Sequence, residues 1–208
     1  MSTPPPEQEA PASLQLPGFR VLALGSHPGR RDREFSHGPI RRFQLEPNGD
    51  GPPLTLTLMP VRSRNEKTLQ LAAIATLEPR FSIRQRRLLT RESSLPAGAA
   101  SRSLEELAVG SSPKVKGSAE PMTRLQTCLT PTGMAGVTLL TLDRELTGMR
   151  EAEAAQARLQ TIVSRLLGLR DNTRWECVAV QLETKTRPGV QQDLLEAWDL
   201  VKPTLSKP

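Results

Sequence analysis

Apolar residues recur at every second position in several short runs, the spacing that turns one face of a β-strand toward a core. The clearest case is IRRFQLEPNGDGPPLTLTLMPV, residues 40–61. Phe43 and Leu45 mark one run, Leu54, Leu56 and Leu58 the next, and PNGDGPP turns between them, which predicts a hairpin. The alternation returns after the turn RSRNEK, where Leu69, Leu71, Ala73, Ala75 and Leu77 predict a strand over Thr68–Leu77. A short strand is also expected at Phe19–Leu24. The two hairpin runs and Thr68–Leu77 are expected to form an antiparallel meander with one apolar face. Further along, TRLQTCL reads as a strand running into the turn TPTGMAGVT, and RWECVAVQLET, Arg174–Thr184, as another.

The period changes in EAEAAQARLQTIVSRLLG. Here Ala155, Leu159, Ile162, Val163, Leu166 and Leu167 line one side of a helix, with Glu151 and Glu153 at its positive end and Gly168 stopping it. TLDREL predicts a short helix with Thr141 as its N-cap. A last short helix is expected in RPGVQQDLLEAWDLVKP, with Val190, Leu194, Leu195, Trp198 and Val201 facing inward and Pro203 ending it. The expected fold is a single α+β domain, an antiparallel or mixed sheet of about five strands covered by one or two helices.

Two segments lack either period. Residues 1–15 are rich in Pro, Glu, Gln and Ala and read as a disordered tail, so the domain runs over residues 16–204. From Arg84 to Pro121 the chain mixes Arg, Ser, Gly and Pro, with one helical turn at SLEEL, and reads as a long flexible insert at about 84–121. No internal repeat is visible.

Composition refines this picture. Aromatic residues make up 3% of the 208, and tyrosine is absent, so the core rests on aliphatic side chains. The net charge of +6 favours an acidic partner: nucleic acid, anionic lipid or an acidic protein surface. Aliphatic runs such as VLAL, Val21–Leu24, fall far short of the ~20 residues that a membrane span needs. MSTPPPEQEAPAS has neither the basic nor the apolar region of a secretory signal.

The chemistry narrows to two cysteines, Cys128 and Cys177. A cysteine nucleophile needs a paired base. The two histidines, His27 and His37, both fall in the Gly/Arg-rich N-terminal part, where they read as exposed loop residues. Isolated cysteines without CxxC spacing do not make a zinc site, and GMAG is no phosphate loop, so no catalytic residue, metal or cofactor is expected. RQRRLLTR offers Arg84, Arg86, Arg87 and Arg91 to an anionic partner, but no aromatic side chain interleaves to stack bases. Strand parity places Leu125, Thr127 and Leu129 on one face and Cys128 on the other. It likewise separates Val178, Val180 and Leu182 from Cys177. Neighbouring strands would let the thiols meet; in a reducing compartment they would be two small buried hydrophobes, and the residues alone leave both readings open.

LQTCLTPTGMAGVT resembles a segment of the cyanoexosortase system-associated proteins, in which a cysteine-bearing strand runs into a Pro/Gly turn and a Thr-rich stretch. The match continues through a helix ending RLLGLRD, Arg165–Asp171, into the second cysteine strand, RWECVAVQL. Upstream, LPGF and the hairpin lie where such proteins place their first strands. The resemblance covers most of Leu16–Thr184, is most specific over Leu125–Thr138 and Arg165–Leu182, and is nearer to the A-type subgroup. It implies a non-catalytic accessory protein acting by protein–protein recognition at the extracytoplasmic face of the membrane. Its partners would be a membrane-embedded cyanoexosortase or the proteins it sorts, and the basic loop adds an anionic membrane surface as a contact independent of the resemblance. In that oxidising compartment a Cys128–Cys177 disulfide is the favoured state. The chain departs from the family in its Ser/Arg-rich insert and in showing no membrane span near its start. A cytosolic adaptor binding nucleic acid through the arginines is the alternative, and a thiol-dependent enzyme the weakest.

Overall fold

The computed structural model describes residues 9–31, 35–63, 86–92, 104–111, 121–131, 133–137 and 175–206. In chain order the strands are β1 (Phe19–His27), β2 (Arg30–Arg31), β3 (Phe35–His37), β4 (Ile40–Pro47) and β5 (Leu54–Ser63). They continue with β6 (Arg86–Glu92), β7 (Leu104–Ser111), β8 (Met122–Leu129), β9 (Ala135–Gly136) and β10 (Trp175–Lys185), before a helix, α1 (Val190–Leu205). All ten strands join one antiparallel sheet, where about five were expected. The main path runs β1-β4-β5-β10-β8-β7-β6, with β2, β3 and β9 attached at its sides.

The predicted hairpin is present and its register follows from its apolar pattern: Phe43 stands opposite Leu56 and Leu45 opposite Leu54. A one-residue slip would turn this whole set to the other face. The apolar row extends across the sheet as Val109, Leu125, Leu182, Leu56 and Phe43, each directly opposite the next. Helix α1 covers this first face with Leu194, Ala197, Trp198 and Val201, all buried in the same cluster. Leu194 and Val201 each contribute roughly 1.5–3 kcal/mol on leaving water, which helps to hold a helix with only modest local preference in place.

Two three-stranded meanders, β1-β4-β5 and β6-β7-β8, thus flank β10, which pairs with β5 on one side and β8 on the other. At the outer edge, β1 carries a bulge. Ala23 faces Phe43 and Gly25 faces Arg42, so Leu24 is the extra residue. Gly25 takes φ 137°, a conformation that side-chain-bearing residues rarely adopt.

Several expectations need correction. Residues 86–92 and 104–111 of the expected flexible insert are paired strands, and SLEEL contributes to β7 rather than to a helical turn. Their pattern hid them, because Glu105 and Glu106 are both buried charges in a strand. Residues 9–15 of the expected tail are described, and Ala10 and Leu14 are buried in the core beside Leu16. Pro203 does not end α1. The helix runs to Leu205, where Ser206 donates from its backbone N–H (3.0 Å) and Oγ (2.9 Å) to the Lys202 carbonyl, and Leu205 packs on the core. Leu195 is only partly buried. The expected strand Thr68–Leu77 and the helices at TLDREL and over residues 151–168 lie outside the described residues.

Candidate functional site

The pairing of β8 with β10 brings the two cysteines together. Cys128 stands opposite Ala179, and Cys177 lies two residues back along β10 on the same face. Their Cα atoms are 5.7 Å apart and the sulfurs are at disulfide distance. Cys177 is fully buried and Cys128 nearly so. Across β5, Val61 separates Cys177 from His37 in the same row of the sheet. Two strand spacings, about 10 Å, therefore separate the thiol position from that imidazole. His37 is not the exposed loop residue expected; it is buried on β3, and its Nδ1–H donates to the Gly38 carbonyl at 2.8 Å. His27 is exposed at the end of β1.

Of the arginines put forward for an anionic partner, Arg84 lies outside the described residues, and Arg86, Arg87 and Arg91 fall on β6. Arg87 is exposed. Arg91 is held internally. Its Nε donates to Glu105 Oε2 at 3.1 Å, and its Nη1 and Nη2 engage the Asp199 carboxylate on α1. The expected loop is an edge strand one of whose cations serves the fold.

Glu105 stands at the centre of a buried charge cluster. Lys202 from α1 donates to its Oε1, while Trp198 Nε1–H (3.3 Å) and Arg91 converge on Oε2. Burial pushes this carboxyl up, but the donors and positive charges of Lys202, Trp198 and Arg91 outweigh it and hold Glu105 below its ordinary value. Burial lowers Arg91 in turn, and Asp199 with Glu105 outweighs that and raises it. The sequence signal was available in part: Trp198 and Lys202 are four apart on α1, so they share a face. Nothing in the sequence marked Glu105 as their acceptor.

On the second sheet face a polar belt ties β8 to β10. Gln126 Nε2 donates to Gln181 Oε1 (2.6 Å), and Gln181 Nε2 donates to Glu183 Oε2 (3.2 Å). Arg124 Nε reaches the same Glu183 oxygen at 2.9 Å. At the strand ends Thr123 joins Ser111 (3.0 Å) and Thr186 (2.9 Å) through their hydroxyls. Among the described residues no group of three or more Asp, Glu, His or Cys is placed to hold a metal, and no helix is long and apolar enough to cross a membrane.

The class these features define is an antiparallel α+β domain whose central strand is tied to β8 by a cysteine pair at disulfide distance and by buried hydrogen bonds. No protein-family model, curated protein or solved structure matches the chain.

Proposed function

We propose that this chain is a non-catalytic accessory protein of a cyanoexosortase protein-sorting system, acting by protein–protein recognition at the extracytoplasmic side of the membrane. The partner is a membrane-embedded cyanoexosortase or one of the proteins it sorts. The observation that carries the reading is the cysteine pair. The residues that bear the family resemblance, around Cys128 and Cys177, are those the sheet brings to disulfide distance, and such a bond persists in an oxidising compartment. A buried cysteine pair separated from His37 by Val61 suits a clasp better than a nucleophile. The alternative, nucleic-acid binding through Arg84, Arg86, Arg87 and Arg91, is weakened because Arg91 is tied to Glu105 and Asp199.

A thiol count on the protein taken from its native compartment, unfolded without reductant, tests the compartment. No free thiol is expected, and two free thiols would remove this support. Co-isolation of the tagged chain with a co-expressed cyanoexosortase tests the partner. Association that Cys128→Ser and Cys177→Ser variants retain once refolded identifies the cysteines as structural. Thiol-dependent hydrolysis abolished by Cys128→Ser would overturn the reading.

A further inference from the structure

The second sheet face changes character at the β1–β4 edge. Parity puts Arg20, Leu22 and, through the bulge, Leu24 on this face of β1, with Gln44 and Arg42 opposite them on β4. His27 follows on the same face beyond the bulge. Leu24 is 53% exposed, one of two large hydrophobic residues so exposed among those described, and Leu22 is half-buried. Arg42 and His27 are exposed, and the Arg20 side chain retains 72% of its exposure although Glu46 lies 3.7 Å away. Glu46 is the only acid directly opposite these residues in the β1–β4 register. Aliphatic side chains set among cations, on a sheet edge rather than in a groove, match a surface that is anionic outside and apolar beneath. Nucleic acid fits less well, because single strands are held by aromatic stacking and Leu22 and Leu24 offer none.

We propose that this patch, Arg20, Leu22, Leu24 and Arg42, docks the protein on an anionic lipid bilayer, its arginines against headgroup phosphates and its leucines in the headgroup–acyl boundary. The site deepens the membrane-side role proposed above. It moves the anionic contact from the β6 arginines to the opposite edge of the sheet. The bulge is what presents Leu24: an unbulged strand would hold one residue, not two, opposite Arg42.

The test is flotation of the purified full chain with phosphatidylcholine vesicles, with and without phosphatidylglycerol. Binding is expected only with the anionic lipid and is expected to weaken as salt rises. Arg42→Gln should reduce partitioning roughly five-fold, as loss of one interfacial cation does. Leu24→Ser should reduce it by about ten-fold through lost apolar burial. Arg87→Gln, on the far edge, should leave it unchanged. Thermal unfolding of each variant at the wild-type midpoint shows that the patch alone was altered, since these side chains are exposed. Equal loss with Arg87→Gln, no binding to anionic vesicles, or binding to a DNA duplex in place of vesicles would each overturn the proposal. Flotation contains no exosortase, so its failure leaves the sorting-partner reading standing, and a failed co-isolation leaves the vesicle result standing.

Discussion

Glu105 shows how a strand accommodates a buried charge. A lone carboxylate in this cluster would be expelled or neutralised, but Lys202, Trp198 and Arg91 between them occupy both oxygens. Removing Glu105 takes the shared acceptor from Lys202, Trp198 and Arg91 together, whereas removing Lys202 leaves the carboxylate with Trp198 and Arg91. Glu105→Gln is therefore expected to destabilise the protein by about 3 kcal/mol in urea unfolding, and Lys202→Met by less. The double variant Glu105→Leu with Lys202→Met should recover part of that loss, because an apolar pair of similar size replaces the ions without their desolvation cost while Trp198 Nε1–H and Arg91 Nε still lose their acceptor. The cluster also sets an acid limit. The folded-state pKa of Glu105 lies below its unfolded value, near 4.5, so its stabilisation is complete above that value and disappears as pH falls through the lower folded one. Unfolding midpoints measured down the acid range should drop in the wild type, and that drop should be shallower in the double variant.

At the scale of elements, α1 depends on its entry as much as on its apolar stripe. Gly189 holds φ 77° where β10 turns back into the helix, and a Cβ there would meet nothing within 4 Å. The cost of a side chain is thus purely conformational. Gly189→Ala should lower stability by about 1–2 kcal/mol, seen as a reduced thermal midpoint with an unchanged fold. The entry is reinforced from both sides. Arg187 pairs with Asp193 at 2.7 Å, and Thr186 N–H donates to the Pro121 carbonyl at 2.8 Å, fixing the turn to the start of β8. The elements differ in how readily their sequences announce them. Leu54, Leu56 and Leu58 stand at every second position of their strand and are all buried, so alternation revealed β5. In β6 and β7 the inward positions include Arg91 and Glu105, whose burial makes sense only once each has found the other across the ladder. Local pattern cannot carry that information.

For the whole molecule, the decisive fact is that the central strand is nearly the last to be made. Residues 19–63 and 86–129 supply the two meanders, and neither half of the sheet is continuous with the other until β10 is placed between β5 and β8. The cysteine pair ties β10 to the second of these meanders, through β8, with a sequence separation of 49. In the chain-entropy account, closing such a loop contributes about 4 kcal/mol. Oxidised protein should accordingly unfold at a higher denaturant concentration than protein held in reductant, and Cys128→Ser should abolish the difference. A midpoint that ignores reductant would mean that the pair is not bonded in solution.

The sequence by itself determined the period-two strands β1, β4, β5, β8 and β10, the apolar residues of the β4–β5 hairpin, the amphipathic C-terminal helix and the face on which each cysteine lies. Those follow from side-chain direction and turn chemistry over a few neighbouring residues. Only the tertiary structure decided that β10 stands between the meanders, that the cysteine strands are neighbours, and that Arg91 belongs to Glu105 and Asp199 rather than to a partner. It also set Leu24 beside Arg42 at the bulge. Each of these joins residues far apart along the chain, and their meeting depends on strand order, which short-range periodicity leaves open.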